Sequence, residues 1–177
     1  GKTALLLTLL CAAVNLAWVL AVRIEPFSDY ETYWRTACAL AFGREIDAPW
    51  YIAMYPHILG CSTFLSAFLK IFGEHVMVAA VINVILTCLS GLLIYGICLR
   101  LASPLTAALA YLLWIVCPSK LMLDPLVFSE PLYTCLILLF FYLIVLIEQR
   151  RGSLPRRLGV CLLWGLALGV LLRAVNI

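Results

Sequence analysis

Apolar runs too long for a soluble core decide what this chain can be. Ala4–Val22 is the first of them, and about 20 residues rising 1.5 Å each cover the ~30 Å hydrocarbon core of a bilayer. Further apolar stretches cover Ile58–Phe72, Val76–Leu99, Leu105–Leu123, Leu132–Ile147 and Leu158–Leu172. With mean hydropathy +1.11 and only 12% charged residues in 177, a soluble domain is excluded. Lys2 precedes the first run as in a signal peptide, but no A-x-A cleavage site precedes Arg23, so the run reads as a retained span. The fold class expected is all-α and polytopic.

Several functions drop out. The net charge of +3 comes from scattered basic residues, which form no stripe for nucleic acid. The eight cysteines show no CxxC spacing and read as small lipid- or core-facing residues rather than metal ligands or disulfides. His57 and His75 sit at no ligand spacing, and no Gly-rich phosphate loop occurs. The last residues, "LLRAVNI", fall inside an apolar pattern without a cap, which reads as the N-terminal part of a longer chain.

Charge settles how the runs are threaded. The second run, "HILGCSTFLSAFLKIFG", is short and contains Ser62, Thr63, Ser66 and Lys70, as re-entrant or interfacial segments do. If it crossed, Arg100 and the cluster "EQRRGSLPRR" would lie outside, against the positive-inside rule. If it does not, Lys2, Arg100, Arg150, Arg151, Arg156 and Arg157 all lie inside, and every acidic residue except Glu148 lies outside. The expected architecture is therefore one transmembrane module over 1–177. Its spans are about 4–22, 76–99, 104–123, 131–148 and 158–177, with the N-terminus inside. An outer loop, 23–75, carries helices at about 29–42 and 57–72. Single-cysteine labelling in a cysteine-free background checks this threading. A probe at Gly73–His75 is expected to react from outside; reaction only from the cytoplasm would overturn the topology.

The outer loop opens with "RIEPFSDYETYW", which places acids and aromatics directly after the first span. Ser28 as N-cap, Glu31 three residues later and Gly43 beyond the end are helix start and stop signals. Tyr30, Tyr33, Trp34, Ala37, Cys38 and Ala41 form one apolar stripe, with Asp29, Thr32 and Thr36 on the other face. Tyr and Trp on the buried face suit a membrane interface. A second acidic segment, "KLMLDPLVFSEPLY", falls on the same outer side by parity, so two loops present carboxylates to one region.

Each candidate residue has a plain structural role beside a functional one. Asp29 favours a helix N-terminus through the macrodipole, and Glu31 suffices as the capping-box acid. Glu130, beside Pro131, opens the fourth span with Ser129 as N-cap. Asp124 is harder to account for, since an ionisable group between apolar residues at a membrane boundary needs a cavity or a partner. Lys120, one helical turn earlier, either snorkels or pairs with it. Arg35, Arg44 and Arg173 are outward cations that bind either phosphate or interfacial lipid. Asn83, Thr87 and Ser90 read as helix-packing groups.

The order of these features resembles the N-terminal module of GT-C glycosyltransferases, particularly the protein O-mannosyltransferase-like and lipid A aminoarabinose transferase branch. The matching residues are "SDYETYWRTACALAFG", "YPHILGCSTFLSAFLKIFG", "LDP" (Leu123–Pro125) and "SEP" (Ser129–Pro131). The aminoarabinose branch carries a lysine just before the proline of the short helix, where this chain has Tyr55. The resemblance implies hexosyl or pentosyl transfer from a polyprenyl-phosphate carrier to a glycan, lipid or protein acceptor, with inversion at the anomeric carbon. It places that activity on the extracytoplasmic face of a bacterial plasma membrane or the ER. Asp29 maps onto the family's catalytic carboxylate and Asp124 onto a cavity carboxylate. Glu130, Arg35, Lys120 and Arg173 are the remaining candidates for substrate contact, the cations to stabilise the departing phosphate. Expected partners are the lipid-linked donor, membrane lipid and the acceptor, not nucleic acid; no cofactor is assigned, and a divalent metal is left open. The competing reading is a multi-pass transporter or lipid flippase. Such proteins carry ionisable groups or broken helices near the midplane, whereas these spans are nearly free of charge. A non-catalytic assembly subunit, with the acids serving only as caps, is the third.

Overall fold

A computed structural model of the chain describes residues 1–149 and single helical positions at 159, 162, 165, 166 and 169. The fifth predicted span, 158–177, is otherwise outside the described residues, as is Arg173. The described chain is all-α: α1 Lys2–Ala21, α2 Ser28–Phe42, α3 Pro49–Met54, α4 His57–Phe72, α5 Val76–Leu101, α6 Pro104–Ile115, α7 Pro118–Leu123 and α8 Glu130–Gln149. By length and composition α1, α5 and α8 can each cross a membrane.

The helices bury two clusters. One joins α1, α5 and α6 through Leu7, Cys11, Val19, Val84, Cys88 and Tyr111. The Tyr111 ring is fully buried and packs against Gly91, while its hydroxyl is 3.2 Å from both Thr8 Oγ1 and Cys88 O. A Cβ added at Gly91 would stand 2.1 Å from that ring. Gly91→Ala is accordingly expected to lower stability by about 1–3 kcal/mol through overpacking. Thermal unfolding in detergent reads it, and an unchanged Tm would show that the ring can move aside.

The second cluster packs α2 on α4 and carries both onto α5 and the segment before α8, through Tyr33, Ala37, Ile58, Leu65, Leu69, Ile82 and Phe128. The α2 stripe is used as its spacing predicts: Tyr33, Ala37 and Cys38 are buried, and Tyr30, Trp34 and Ala41 pack at their margin. Thr36, expected on the polar face, is buried as well. Ser62 Oγ donates to Tyr33 O at 3.0 Å, tying the two helices through a backbone carbonyl. Arg44, just past the Gly43 C-cap (φ 66), forks onto Glu74 at 3.0 and 2.6 Å. That contact joins the end of α2 to the α4–α5 corner and holds the Glu74 carboxyl below its usual range.

Two predicted details differ. Ser28 does not cap α2; it adopts φ 51, and the carbonyl of Phe27 accepts the N–H groups of Tyr30 and Glu31. Glu31 turns to Arg35 one helical turn on (Nε–Oε1 2.8 Å), so the i,i+4 ion pair displaces the capping box. The run 104–123 is not one helix. Pro118 lacks an N–H and forces Cys117 into an extended conformation (ψ 113), which breaks the helix between α6 and α7. At 1.5 Å per residue α6 alone is about 18 Å long, short of the ~30 Å core.

After the break, residues 124–129 are mostly buried among the helices. Asn83 Nδ2 donates to Asp124 O (3.1 Å) and Leu126 O (2.7 Å), and Trp114 Nε1 to Thr87 O (3.0 Å). Non-helical backbone inside a membrane bundle needs such partners. Asn83 and Thr87 therefore anchor the connector between α7 and α8, a role more specific than helix packing.

Candidate active site

A cavity of about 590 Å³ opens where the start of α2, α3, the start of α4 and the residues before α8 converge. Asp29 and Glu130 both line it, so the two acidic loops do meet at one site. Asp29, the second residue of α2, accepts a hydrogen bond from Tyr51 Oη at 3.3 Å. Glu130 is the first residue of α8, and Ser129 Oγ lies 3.4 Å from its Oε2. Tyr33 Oη lies 3.5 Å from Ser129 Oγ and so links α2 to the start of α8.

The rest of the wall is hydroxyl and aromatic. Ser28, Tyr51 and Tyr55 add hydroxyls, His57 adds an imidazole, and Phe27, Tyr30, Ile58 and Phe128 supply apolar surface. Burial pushes the Tyr33 hydroxyl up to about 12, so it stays protonated at neutral pH and serves as donor or acceptor, not as a base. No lysine or arginine is among the described residues lining the cavity. The arrangement suits a neutral polyol. Carboxylates accept from its hydroxyls, aromatic rings cover its apolar C–H faces, and a carboxylate is left to take a proton.

Asp124 and Lys120 belong to a smaller cavity of about 200 Å³, shared with Thr87, Ser90, Trp114 and Thr134. Glu130 lines both spaces. Asp124 is 1% exposed; Thr87 Oγ1 donates to its Oδ1 at 2.9 Å, and its Oδ2 has no protein partner. Thr87 lies about 16 Å along the axis of α5 from Val76 at 1.5 Å per residue, so this carboxyl sits deep in the bundle. Lys120, 8% exposed, does not pair with it but donates from Nζ to Asn15 Oδ1 at 2.8 Å. A buried ammonium, a buried carboxyl and three polar side chains from α1 and α5 thus knit α7 into the bundle.

Arg35 lines neither cavity. Its guanidinium is held by Glu31 (2.7 Å) and Asp47 (3.1 Å) and braces the loop that leads into α3. Arg44 is likewise taken by Glu74. Among the described residues no group of three or more His, Cys, Asp and Glu side chains could hold a metal ion. Sequence reasoning passed over Tyr51, Tyr55 and His57. The available signal was the density of aromatics in "PWYIAMYPH", a stretch too short to show periodicity.

The chain is an all-α, GT-C-like membrane glycosyltransferase module by its helices and its family. The chain belongs to the dolichyl-phosphate-mannose-protein mannosyltransferase family, whose model matches residues 57–175. The match begins at His57 and includes Lys120, Asp124 and Glu130, while Asp29 precedes it. No curated protein and no solved structure gives a significant match.

Proposed function

We propose that this membrane glycosyltransferase moves a sugar, most simply a mannosyl group, from a polyprenyl-phosphate carrier to an acceptor hydroxyl on the extracytoplasmic face, with inversion. The observation that carries the reading is the meeting of Asp29 and Glu130 in one large cavity walled by hydroxyls and aromatic rings. The family membership supports glycosyl transfer, and the charge asymmetry of the sequence supports the outer face.

In the proposed reaction Asp29 takes the proton of the acceptor hydroxyl as its oxygen attacks the anomeric carbon. The bond from that carbon to the phosphate oxygen breaks, and its electron pair leaves with the polyprenyl phosphate. Attack opposite the leaving group inverts the centre. Tyr51 keeps the Asp29 carboxylate turned into the cavity, and Glu130 accepts hydrogen bonds from sugar hydroxyls. Lys120 and Arg173 are the proposed sources of positive charge for the departing phosphate, while Arg35 acts at a distance by holding the α3 loop. Asp124 and Lys120 line the neighbouring cavity that also includes Glu130.

The stereochemistry tests the mechanism. Given a β-linked polyprenyl-phosphate sugar, NMR of the product's anomeric carbon is expected to show an α linkage. A β-linked product would require two displacements and would remove Asp29 from the role of simple base.

A further inference from the structure

The chain leaving α1 helps to build a third space. Val22 is extended (φ −109, ψ 95), and exposure alternates along the residues that follow. Val22, Ile24 and Pro26 are half-buried, whereas Arg23 and Glu25 are exposed. Side chains two apart on extended backbone share a side, so the guanidinium and the carboxylate stand on one face. Neither makes an ion pair or a side-chain hydrogen bond among the described residues. Both line a cavity of about 280 Å³, with His75 and the apolar Val19, Val76, Met77 and Ala80. This cavity shares no lining residue with the two described above.

Its place and its charges say what it can hold. Helices α1 and α5 are each long and apolar enough to cross a membrane. Val19 and Ala80 lie within those helices, and Arg23 and Glu25 lie beyond the end of α1. The space therefore falls at a membrane boundary, apolar towards the bilayer and charged away from it. Glu74 also lines it, but Arg44 takes both of its oxygens. The charges left without partners are one guanidinium and one carboxylate. An anionic ligand alone would meet Glu25 and a cationic one Arg23, whereas a zwitterion satisfies both. Arginine forks onto phosphate, and a carboxylate accepts from an ammonium. No Phe, Tyr or Trp lines the space among the described residues, although quaternary ammonium groups are held by aromatic faces. That composition favours a primary ammonium over choline.

We propose that this boundary pocket binds a phosphoethanolamine phospholipid of the membrane, with its phosphate on Arg23 and its ammonium on Glu25. The acyl chains then run along the apolar residues of α1 and α5. A volume of about 280 Å³ lies just below the ~300 Å³ at which small-molecule pockets begin, which suits a headgroup whose chains stay in the bilayer. Pro125 lines the pocket too, so the lipid touches the connector whose other end, Phe128 and Ser129, lines the Asp29–Glu130 cavity.

Native mass spectrometry of the full chain, titrated with phosphatidylethanolamine, phosphatidylcholine and phosphatidylglycerol of matched chains, tests the site. Wild type is expected to hold phosphatidylethanolamine about tenfold more tightly than the other two, the usual effect of one hydrogen bond between charged groups. Glu25→Gln should erase that preference, because only phosphatidylethanolamine brings N–H donors to the carboxylate. Arg23→Gln should weaken all three lipids alike, by about tenfold, because each carries the phosphate. Both side chains are exposed and unpaired, so both variants should fold. Glycerophosphoethanolamine, which has no chains, should compete only at far higher concentration. Competition at equal concentration would assign the pocket to a soluble zwitterion and overturn the lipid. Equal affinity of wild type for the three lipids would overturn the site, as would unchanged phosphatidylethanolamine binding in folded Arg23→Gln and Glu25→Gln.

Discussion

Asp29→Asn is expected to leave the chain folded and to reduce sugar transfer by a factor of about 10² to 10⁴, the usual contribution of a positioned general base. Asparagine keeps the size of the side chain and an oxygen for Tyr51 to donate to, so the wall of the cavity survives. It cannot accept the acceptor's proton. Asp29 is exposed and makes no ion pair among the described residues, which leaves little stability to lose. Glu31→Gln gives the contrasting result. Glu31 spends its carboxylate on Arg35 at the surface, and an exposed pair of this kind contributes little, so transfer should persist with a small change in Tm. Full turnover by a folded Asp29→Asn protein would reduce Asp29 to a helix-terminus charge.

Lys120→Met is expected to lower stability by about 1–3 kcal/mol, because it removes a buried, hydrogen-bonded cation whose charge reaches the Asp124 carboxyl without pairing with it. It also strips Asn15 of its 2.8 Å partner inside the bundle. Adding Asp124→Leu removes the buried carboxyl that the Lys120 charge reaches, so the double variant should regain part of the lost stability. Thr87 and Asn15 then lose their side-chain partners, so recovery is expected to be incomplete. The double variant should fold yet show a raised KM for the lipid-linked sugar, because it reshapes the cavity that shares Glu130 with the candidate site. A double variant as unstable as Lys120→Met would show that the two groups do not compensate one another. Wild-type kinetics in the double variant would remove both from any influence on the site.

The extent of α2 could be read from the sequence because its aromatic stripe repeats at helical spacing and Gly43 supplies the left-handed stop. Its start could not. Ser28 and Glu31 have the residue types of a capping box, but Arg35 and the backbone of Phe27 offer competing partners that appear only in three dimensions. The break at Cys117 was signalled by Pro118, yet an apolar run averages over a single proline. The anchoring of the connector between α7 and α8 depends on Asn83 and Thr87, residues distant in sequence. At the site, parity and local pattern pointed to Asp29 and Glu130, which the fold brings together. The apolar neighbours of Asp124 make its burial costly on sequence grounds, but only the fold shows that it lines a different cavity from Asp29. The tyrosines and His57 fall on and around the six-residue α3, where no period can develop.

The most direct test of glycosyl transfer at the Asp29–Glu130 cavity is a turnover assay with the full chain in proteoliposomes and polyprenyl-phosphate sugars labelled in the sugar. The prediction is loss of label from one lipid-linked sugar, with stoichiometric appearance of polyprenyl phosphate, in wild type and not in Asp29→Asn. Loss of label at equal rates in both proteins would contradict the assignment of the reaction to this cavity, and retention of label on every donor by folded wild-type protein would contradict transfer from a polyprenyl-phosphate carrier.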